Sequence, residues 1–292
     1  MPAASWLIVV WLSVVGAAIG SFLNVVVWRL PRGGNLIEPP SHCPKCRRPI
    51  RWYDNIPIVS WFLLRGRCRE CRTPISVRYP LIETVCFASF LILAILECGL
   101  LGINLPAHRH VVAGDVVLVS GWSGRELYGL FLFHQSLWCT LLAAGLIEYD
   151  GHRVGWRVVA PALGLATIAG SAMPRLYPVP VWSGVEGWYA GIATSAAGLA
   201  AGAAIGWLLS RWEPAARRNG VWFGLTCIGG ILGWQSVVGL AAITVLWQLF
   251  ATVMGPRIAP IRRVPTSLAL VLLTFAWLVA WAPLVHWIPW LG

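Results

Sequence analysis

Cys43-Pro44-Lys45-Cys46 and Cys68-Arg69-Glu70-Cys71 lie inside residues 29–80, the one long polar stretch of a chain that is otherwise mostly apolar. Two C-x-x-C knuckles separated by 21 residues have the spacing of a zinc site. A tight C-x-x-C turn puts two thiolates on one side, and two such turns close a tetrahedron around Zn²⁺. Lys45, Arg47, Arg48, Arg51, Arg65, Arg67, Arg69 and Arg72 surround the knuckles. Positive charge favours the thiolate form and offsets the charge of a four-thiolate centre. The candidate ligands are therefore Cys43, Cys46, Cys68 and Cys71. Other readings stay open: two disulfides, a solvated basic loop with incidental cysteines, or a nucleic-acid-binding zinc ribbon. So many arginines mark a cytoplasmic loop, where thiols stay reduced. A loop tethered between membrane spans finds phosphate first on anionic lipid headgroups, so membrane lipids are the expected partner and nucleic acid is not.

Outward from this stretch the chain reads as a polytopic membrane protein. It is 58% hydrophobic and 11% charged, with a mean hydropathy of +0.72. That composition excludes a soluble domain built around one core. The first apolar run, residues 5–28, is too long for a signal peptide and reads as a retained span. Further spans are expected at 81–103, 126–147, 157–173 and 187–209. Residues 221–255 form a 35-residue run, too long for one crossing at ~20 residues per span, so it divides near Gly233–Gln235. A last span covers about 266–290. The fold class is thus all-α, with about eight transmembrane helices and a small cytoplasmic four-cysteine insert. Its expected parts are a first span (1–28), the zinc-binding insert (29–80) and a multi-span membrane domain (81–292).

Charge placement orients these spans. With residues 29–80 inside, the inner connectors hold 19 of the 22 Lys and Arg residues, and Arg109, Arg125 and Arg175 are left outside. This is the bias of the positive-inside rule. Both termini then lie outside the cytoplasm. The outer loop 104–125 carries His108-Arg109-His110 and Asp115, and Glu186 also falls outside. Cys86, Cys98, Cys139 and Cys227 sit in or beside apolar runs and read as small buried hydrophobes.

Several blocks of the first half resemble the bacterial type IV prepilin leader peptidase/N-methyltransferase family. They are Gly20-Ser21-Phe22-Leu23-Asn24 through Trp28-Arg29-Leu30-Pro31, Ser41-His42-Cys43-Pro44-Lys45-Cys46, and Asn55-Ile56-Pro57-Ile58-Val59-Ser60-Trp61. The second C-x-x-C and Arg78-Tyr79-Pro80-Leu81-Ile82-Glu83 follow in the same order. The resemblance implies an intramembrane aspartic protease of the bacterial cytoplasmic membrane. Such enzymes cut leaders from type IV prepilins and pseudopilins at the inner face, then methylate the new N-terminus with S-adenosylmethionine. Proteolysis needs two carboxylates across a water, one ionised and one protonated.

At the two positions where the family carries those aspartates, this chain has other residues. Glu148, in Ile147-Glu148-Tyr149-Asp150, stands at the first, and Val221, after Arg218-Asn219-Gly220, stands at the second. No Asp follows Asp150; the later acids are Glu186 and Glu213. Glu148 and Asp150, two residues apart on a helix, point to nearly opposite sides. Glu148 is the degenerate catalytic candidate, or an interfacial acid beside Arg153; His152 reads as interfacial and Glu83 as a partner of a base such as Arg78. The chain is expected to handle prepilin-like or pseudopilin helices without a working peptidase dyad. The alternatives are a non-proteolytic assembly factor of a pilus or type II secretion system, and a methyltransferase without protease activity. No glycine-rich cofactor loop of recognisable form is present, so S-adenosylmethionine rests on the resemblance alone.

Overall fold

A computed structural model describes residues 3–106, 110–113, 116–119, 123–173, 176–179, 188–258, 261 and 263–287. His108, Arg109, Asp115, Arg175, Glu186 and Arg262 fall outside the described residues. The eight expected spans appear as eight helices. They are α1 (Ala3–Arg29), α3 (Arg78–Leu93, continued by a π-helical turn at Ala94–Gly99), α4 (Gly124–Tyr149) and α5 (Trp156–Ala172), then α6 (Trp188–Ser210), α7 (Arg218–Leu232), α8 (Trp234–Met254) and α9 (Thr266–Trp287). A short helix, α2 (Val59–Leu63), lies in the polar insert.

Six of these helices are long and apolar enough to cross a membrane. The other two are shorter: α5 has 17 residues and α7 has 15. At 1.5 Å per residue α7 is about 22 Å long, less than a ~30 Å hydrocarbon core. The division of the 221–255 run falls at Gly233, whose φ of +87° an L side chain would resist. In the loop before α4, His110–Ala113 (β1) and Val116–Val119 (β2) pair as a small antiparallel hairpin. It is the one β-sheet among the described residues, beside single bridges that pair His42 with Pro49 and Arg67 with Pro74. The sequence predicts only a loop at 104–125.

The chain folds as two compact units, Met1–Ile95 and Leu96–Gly292. In the first, α1 and α3 pack on each other and the insert connects them. In the second, α4 is the central helix: 78% of its apolar window is buried, against 28% for α8. Phe131, Leu137 and Ile147 on α4 meet the core that Leu225 and Ile228 of α7 and Leu278 of α9 also enter. Large apolar side chains stay exposed on the outer helices, among them Ile168, Leu246 and Leu272. Such faces suit lipid rather than water.

Helix α6 meets α7 along a stripe of small residues. A Cβ added at Gly198 would lie 1.9 Å from the Gly229 carbonyl oxygen, and one at Gly202 would lie 2.2 Å from that of Leu225. Backbones approach this closely only where side chains are missing, which is how helices gain packing energy inside a membrane.

Candidate functional site

The two knuckles of the insert are built alike. In the first, the Cys43 amide donates to the Arg48 carbonyl (3.0 Å) and the Arg47 amide to the Cys43 carbonyl (2.8 Å). In the second, Cys68 donates to Thr73 (2.9 Å) and Arg72 to Cys68 (3.0 Å). Each turn closes on a residue with positive φ, Arg47 at 58° and Arg72 at 56°. The four sulfurs lie within 4.8 Å of one another, and Cys43 Sγ is 3.7 Å from Cys71 Sγ. A disulfide needs about 2.05 Å, whereas a tetrahedral ion with metal–sulfur bonds of about 2.3 Å spaces its ligands about 3.8 Å apart. The cluster therefore fits a four-coordinate metal ion. Backbone amides donating to Cys43, first that of Cys46, pull its thiol down to about 6 against the opposing effect of burial.

Charged pairs brace the insert. Arg69 grips Asp54 through two hydrogen bonds of 2.8 and 2.6 Å, and this holds the Asp54 carboxyl below the usual carboxylate range. Glu70 accepts from Arg48 and Arg51. A γ-turn at Ile58 (φ 64°, ψ −59°) is closed by the Val59 amide donating to Pro57, 2.6 Å. Positive φ at a β-branched residue is strained. The buried Glu83 carboxylate on α3 secures the turn by accepting the Ile58 amide at 2.6 Å. These elements border a cavity of about 500 Å³ lined by Asn24, Trp28, Arg51, Trp61, Tyr79 and Glu83, among others.

In the second unit the structure places Glu148 in the last turn of α4, 1% exposed, while Arg153 is exposed. One carboxylate oxygen accepts the Gly220 amide (2.8 Å) and the other accepts the Ser267 hydroxyl (2.6 Å). Gly220 is the third residue of α7, and its amide belongs to the set at a helix start that lack an intrahelical partner. A carboxylate there also meets the positive end of the helix dipole. Any larger residue at 220 would collide, since a Cβ would fall 2.3 Å from Glu148 Oε2. Val221, next in line, is fully buried. Asp150 ends α4, its amide donating to Leu146, and is half-buried.

Glu213, an acid with no site role expected from the sequence, lies close to this centre. Its Oε1 accepts from Gln248 (3.0 Å) and from the Thr266 hydroxyl. Thr266 and Ser267 are consecutive, so Glu213 and Glu148 hold neighbouring hydroxyls at the start of α9. The only signal in the sequence was that Glu213 is an acid within a basic connector.

Residues 14–96 match the model of the bacterial peptidase A24 N-terminal domain. The chain is 53% identical over 77 residues to a prepilin leader peptidase/N-methyltransferase of Myxococcus xanthus, covering 26% of this chain and 23% of that protein. Its similarity to the Neisseria gonorrhoeae protein of the same name is longer and weaker: 28% identity over 272 residues, 80% of each chain. The Stutzerimonas stutzeri protein is 32% identical over 201 residues, 61% of this chain and 60% of its own. No solved structure matches. The N-terminal part therefore matches the bacterial peptidase A24 N-terminal domain, and the similarity to prepilin leader peptidase/N-methyltransferases runs on through the helices that carry Glu148 and Val221.

Proposed function

We propose that this protein receives prepilin-like or pseudopilin segments at the cytoplasmic face of a bacterial inner membrane and does not cut them. The observation that carries this reading is the state of Glu148. Both of its oxygens are bonded within the protein, and Val221, which the resemblance sets at the second aspartate position, is buried and uncharged. A carboxylate that ties α4 to α7 and α9 through both oxygens serves as a structural link, and no aspartate follows Asp150 in the sequence to pair with it. Such a segment offers a basic leader and an apolar helix, which suits a chain that has both apolar helices and a polar insert. The role is then that of a binding or assembly factor in a pilus or secretion system. On this reading residues 1–28, 29–80 and 81–292 are a first span, a cytoplasmic insert and a membrane domain. Cys43, Cys46, Cys68 and Cys71 hold zinc, which fixes the two knuckles as one rigid body.

A second reading, methyl transfer without proteolysis, is favoured by the cavity in the first unit. Its size falls within the ~300–1,000 Å³ of small-molecule sites, and a buried carboxylate and three aromatic residues line it. The lining carries acids (Asp54, Glu70, Glu83) and arginines (Arg29, Arg48, Arg51, Arg69), which suits the zwitterionic end of an S-adenosylmethionine-like ligand.

The deciding experiment incubates purified protein in detergent with a prepilin-like substrate and, separately, with labelled S-adenosylmethionine. Val221→Asp, Glu148→Gln and Glu213→Gln variants run alongside. The expected result is no leader cleavage, with one zinc per chain that is lost in Cys43→Ser. Cleavage that falls in Glu148→Gln or Glu213→Gln would overturn the reading and identify a carboxylate pair rebuilt from those two residues. Methyl transfer without cleavage would select the second reading.

A further inference from the structure

A second polar centre lies far from the residues discussed so far. Glu97, just past the π-helical turn's midpoint, and His134 on α4 are both fully buried, and Asn104 is 2% exposed. His134 Nδ1 meets Glu97 Oε1 at 2.7 Å. Asn104 Nδ2 donates to the same oxygen (3.3 Å) and to the Leu278 carbonyl of α9 (2.9 Å), and the Ala282 amide donates back to the Asn104 carbonyl (2.9 Å). Trp281, fully buried on α9, packs with its ring centroid 6.1 Å from that of His134. His134 and Glu148 are 14 residues apart on one helix, so at 1.5 Å per residue the two centres are about 21 Å apart.

What needs explaining is the other half of each group. Glu97 Oε2, Asn104 Oδ1, His134 Nε2 and Trp281 Nε1 are all buried and make no hydrogen bond among the described residues. Glu97, Asn104 and His134 are already fixed at one hub, and Trp281 packs beside His134. Turning the Asn104 amide over does not cure this, because it would set its oxygen against Glu97 Oε1 and the Leu278 carbonyl. A short Nδ1–carboxylate contact needs a proton between its atoms, so His134 and Glu97 share one, whichever of them carries it. The four unpaired atoms comprise a fixed donor (Trp281 Nε1–H), two fixed acceptors and an imidazole nitrogen that serves as either. Unpaired polar groups in an apolar interior are costly, and four of the eleven such atoms among the described residues belong to this one group of side chains, which calls for a ligand. An apolar ligand would satisfy none of them. A cation would face the Trp281 N–H, and an anion would face the carboxylate. A small neutral molecule that both donates and accepts fits all four.

We propose that Glu97, Asn104, His134 and Trp281 form a buried water-binding site inside the bundle, where water contacts a proton-sharing Glu–His pair. The water accepts from Trp281 Nε1–H and donates to Glu97 Oε2 or Asn104 Oδ1, with His134 Nε2 as its third partner. Two to four polar partners are what buried waters have. The site joins the segment Glu97–Asn104 to α4 and α9, and it stands whether or not the chain cleaves or methylates anything.

The test is solid-state magnetic resonance on the full chain in lipid bilayers, with ¹⁵N in histidine and tryptophan rings. Spectra of His134→Phe and Trp281→Phe assign the two signals. The expected result is magnetisation transfer from water to both rings in the unmodified protein, and loss of the transfer to His134 when Trp281 becomes Phe. Two dry rings in the unmodified protein would overturn the proposal, and that measurement needs no variant to fold. Transfer to His134 that persists undiminished in Trp281→Phe would overturn the shared site.

Discussion

Glu148 does in this chain what a backbone cap does elsewhere. Its carboxylate satisfies one amide at the start of α7 and one hydroxyl at the start of α9, and both helices begin against the end of α4 through it. Replacing it tests that role apart from any chemistry. Glu148→Ala leaves the Gly220 amide and the Ser267 hydroxyl without partners in a buried place, at a cost of about 2–3 kcal/mol. Glu148→Gln keeps a carbonyl oxygen for Gly220, and its amide donates to the Ser267 hydroxyl, which can accept. We expect a thermal melt in detergent to fall by several degrees for the alanine variant and to move little for glutamine. Equal losses would mean that the charge, not the hydrogen bonding, holds the helices. The Asp54–Arg69 pair gives a pH-dependent counterpart in the insert. Hydrogen bonds from Arg69, opposed by burial, lower the Asp54 carboxyl in the folded state below its unfolded value of 3.8. Its contribution is therefore complete above the unfolded value and is lost as pH falls through the folded one. Insert stability, followed by proteolysis between pH 6 and 3, should decline at the acid end, and Asp54→Asn should flatten that decline while lowering stability at pH 6.

At the scale of elements, the α6–α7 contact is the most sequence-dependent packing in the second unit. A Cβ at Gly202 would sit 2.2 Å from a backbone oxygen and 2.8 Å from its carbon, so the helices themselves must part. Gly202→Val should cost about 2 kcal/mol or more, as overpacking does, whereas Gly164→Ala in α5 meets nothing within 4 Å and should be neutral or stabilising. Melting temperatures of the two variants in one detergent decide it; a Gly202→Val protein as stable as Gly164→Ala would show that the stripe is not under compression. These elements were legible to different degrees. Apolar runs of about 20 residues announced the helices, and the length of 221–255 required the break at Gly233. The cysteine spacing grouped four sulfurs because a C-x-x-C turn is local, and two local turns need only meet once. The partners of Glu148 and Glu213 were not legible. Gly220 lies 72 residues beyond Glu148 and Ser267 lies 119 beyond it, and no periodicity in one helix encodes which neighbour its end will touch. Glu97 and His134 stayed hidden for the same reason, each reading alone as a stray polar residue in an apolar run. The hairpin at 110–119 escaped because eight residues of strand within a connector resemble any short loop.

For the whole molecule, the decisive quantity is the parity of crossings, and it rests on the short α7. Six helices are long enough to span, and α5 and α7 are each several residues shorter. If all eight cross, Arg65 in the insert and Arg257 after α8 share a side, and 19 of the 22 Lys and Arg residues lie with them. If α7 and α8 crossed together as one span, Arg257 and Arg263 would move to the opposite face and the bias would weaken. The cost of that arrangement is electrostatic and topological rather than one of packing, since basic residues flanking spans are retained on the cytoplasmic side. Arg65→Cys and Arg257→Cys separate the cases, because each gives a maleimide-reactive marker at an exposed position. In intact cells a membrane-impermeant maleimide should label neither residue, and permeabilised cells should show both labelled. A reporter fused after Gly292 that is active only outside the cytoplasm should be active. Labelling of Arg257→Cys in intact cells, with Arg65→Cys protected, would place α7 as a helix that enters and leaves on one face, and Glu148 would then bind the tip of a re-entrant helix rather than the start of a span.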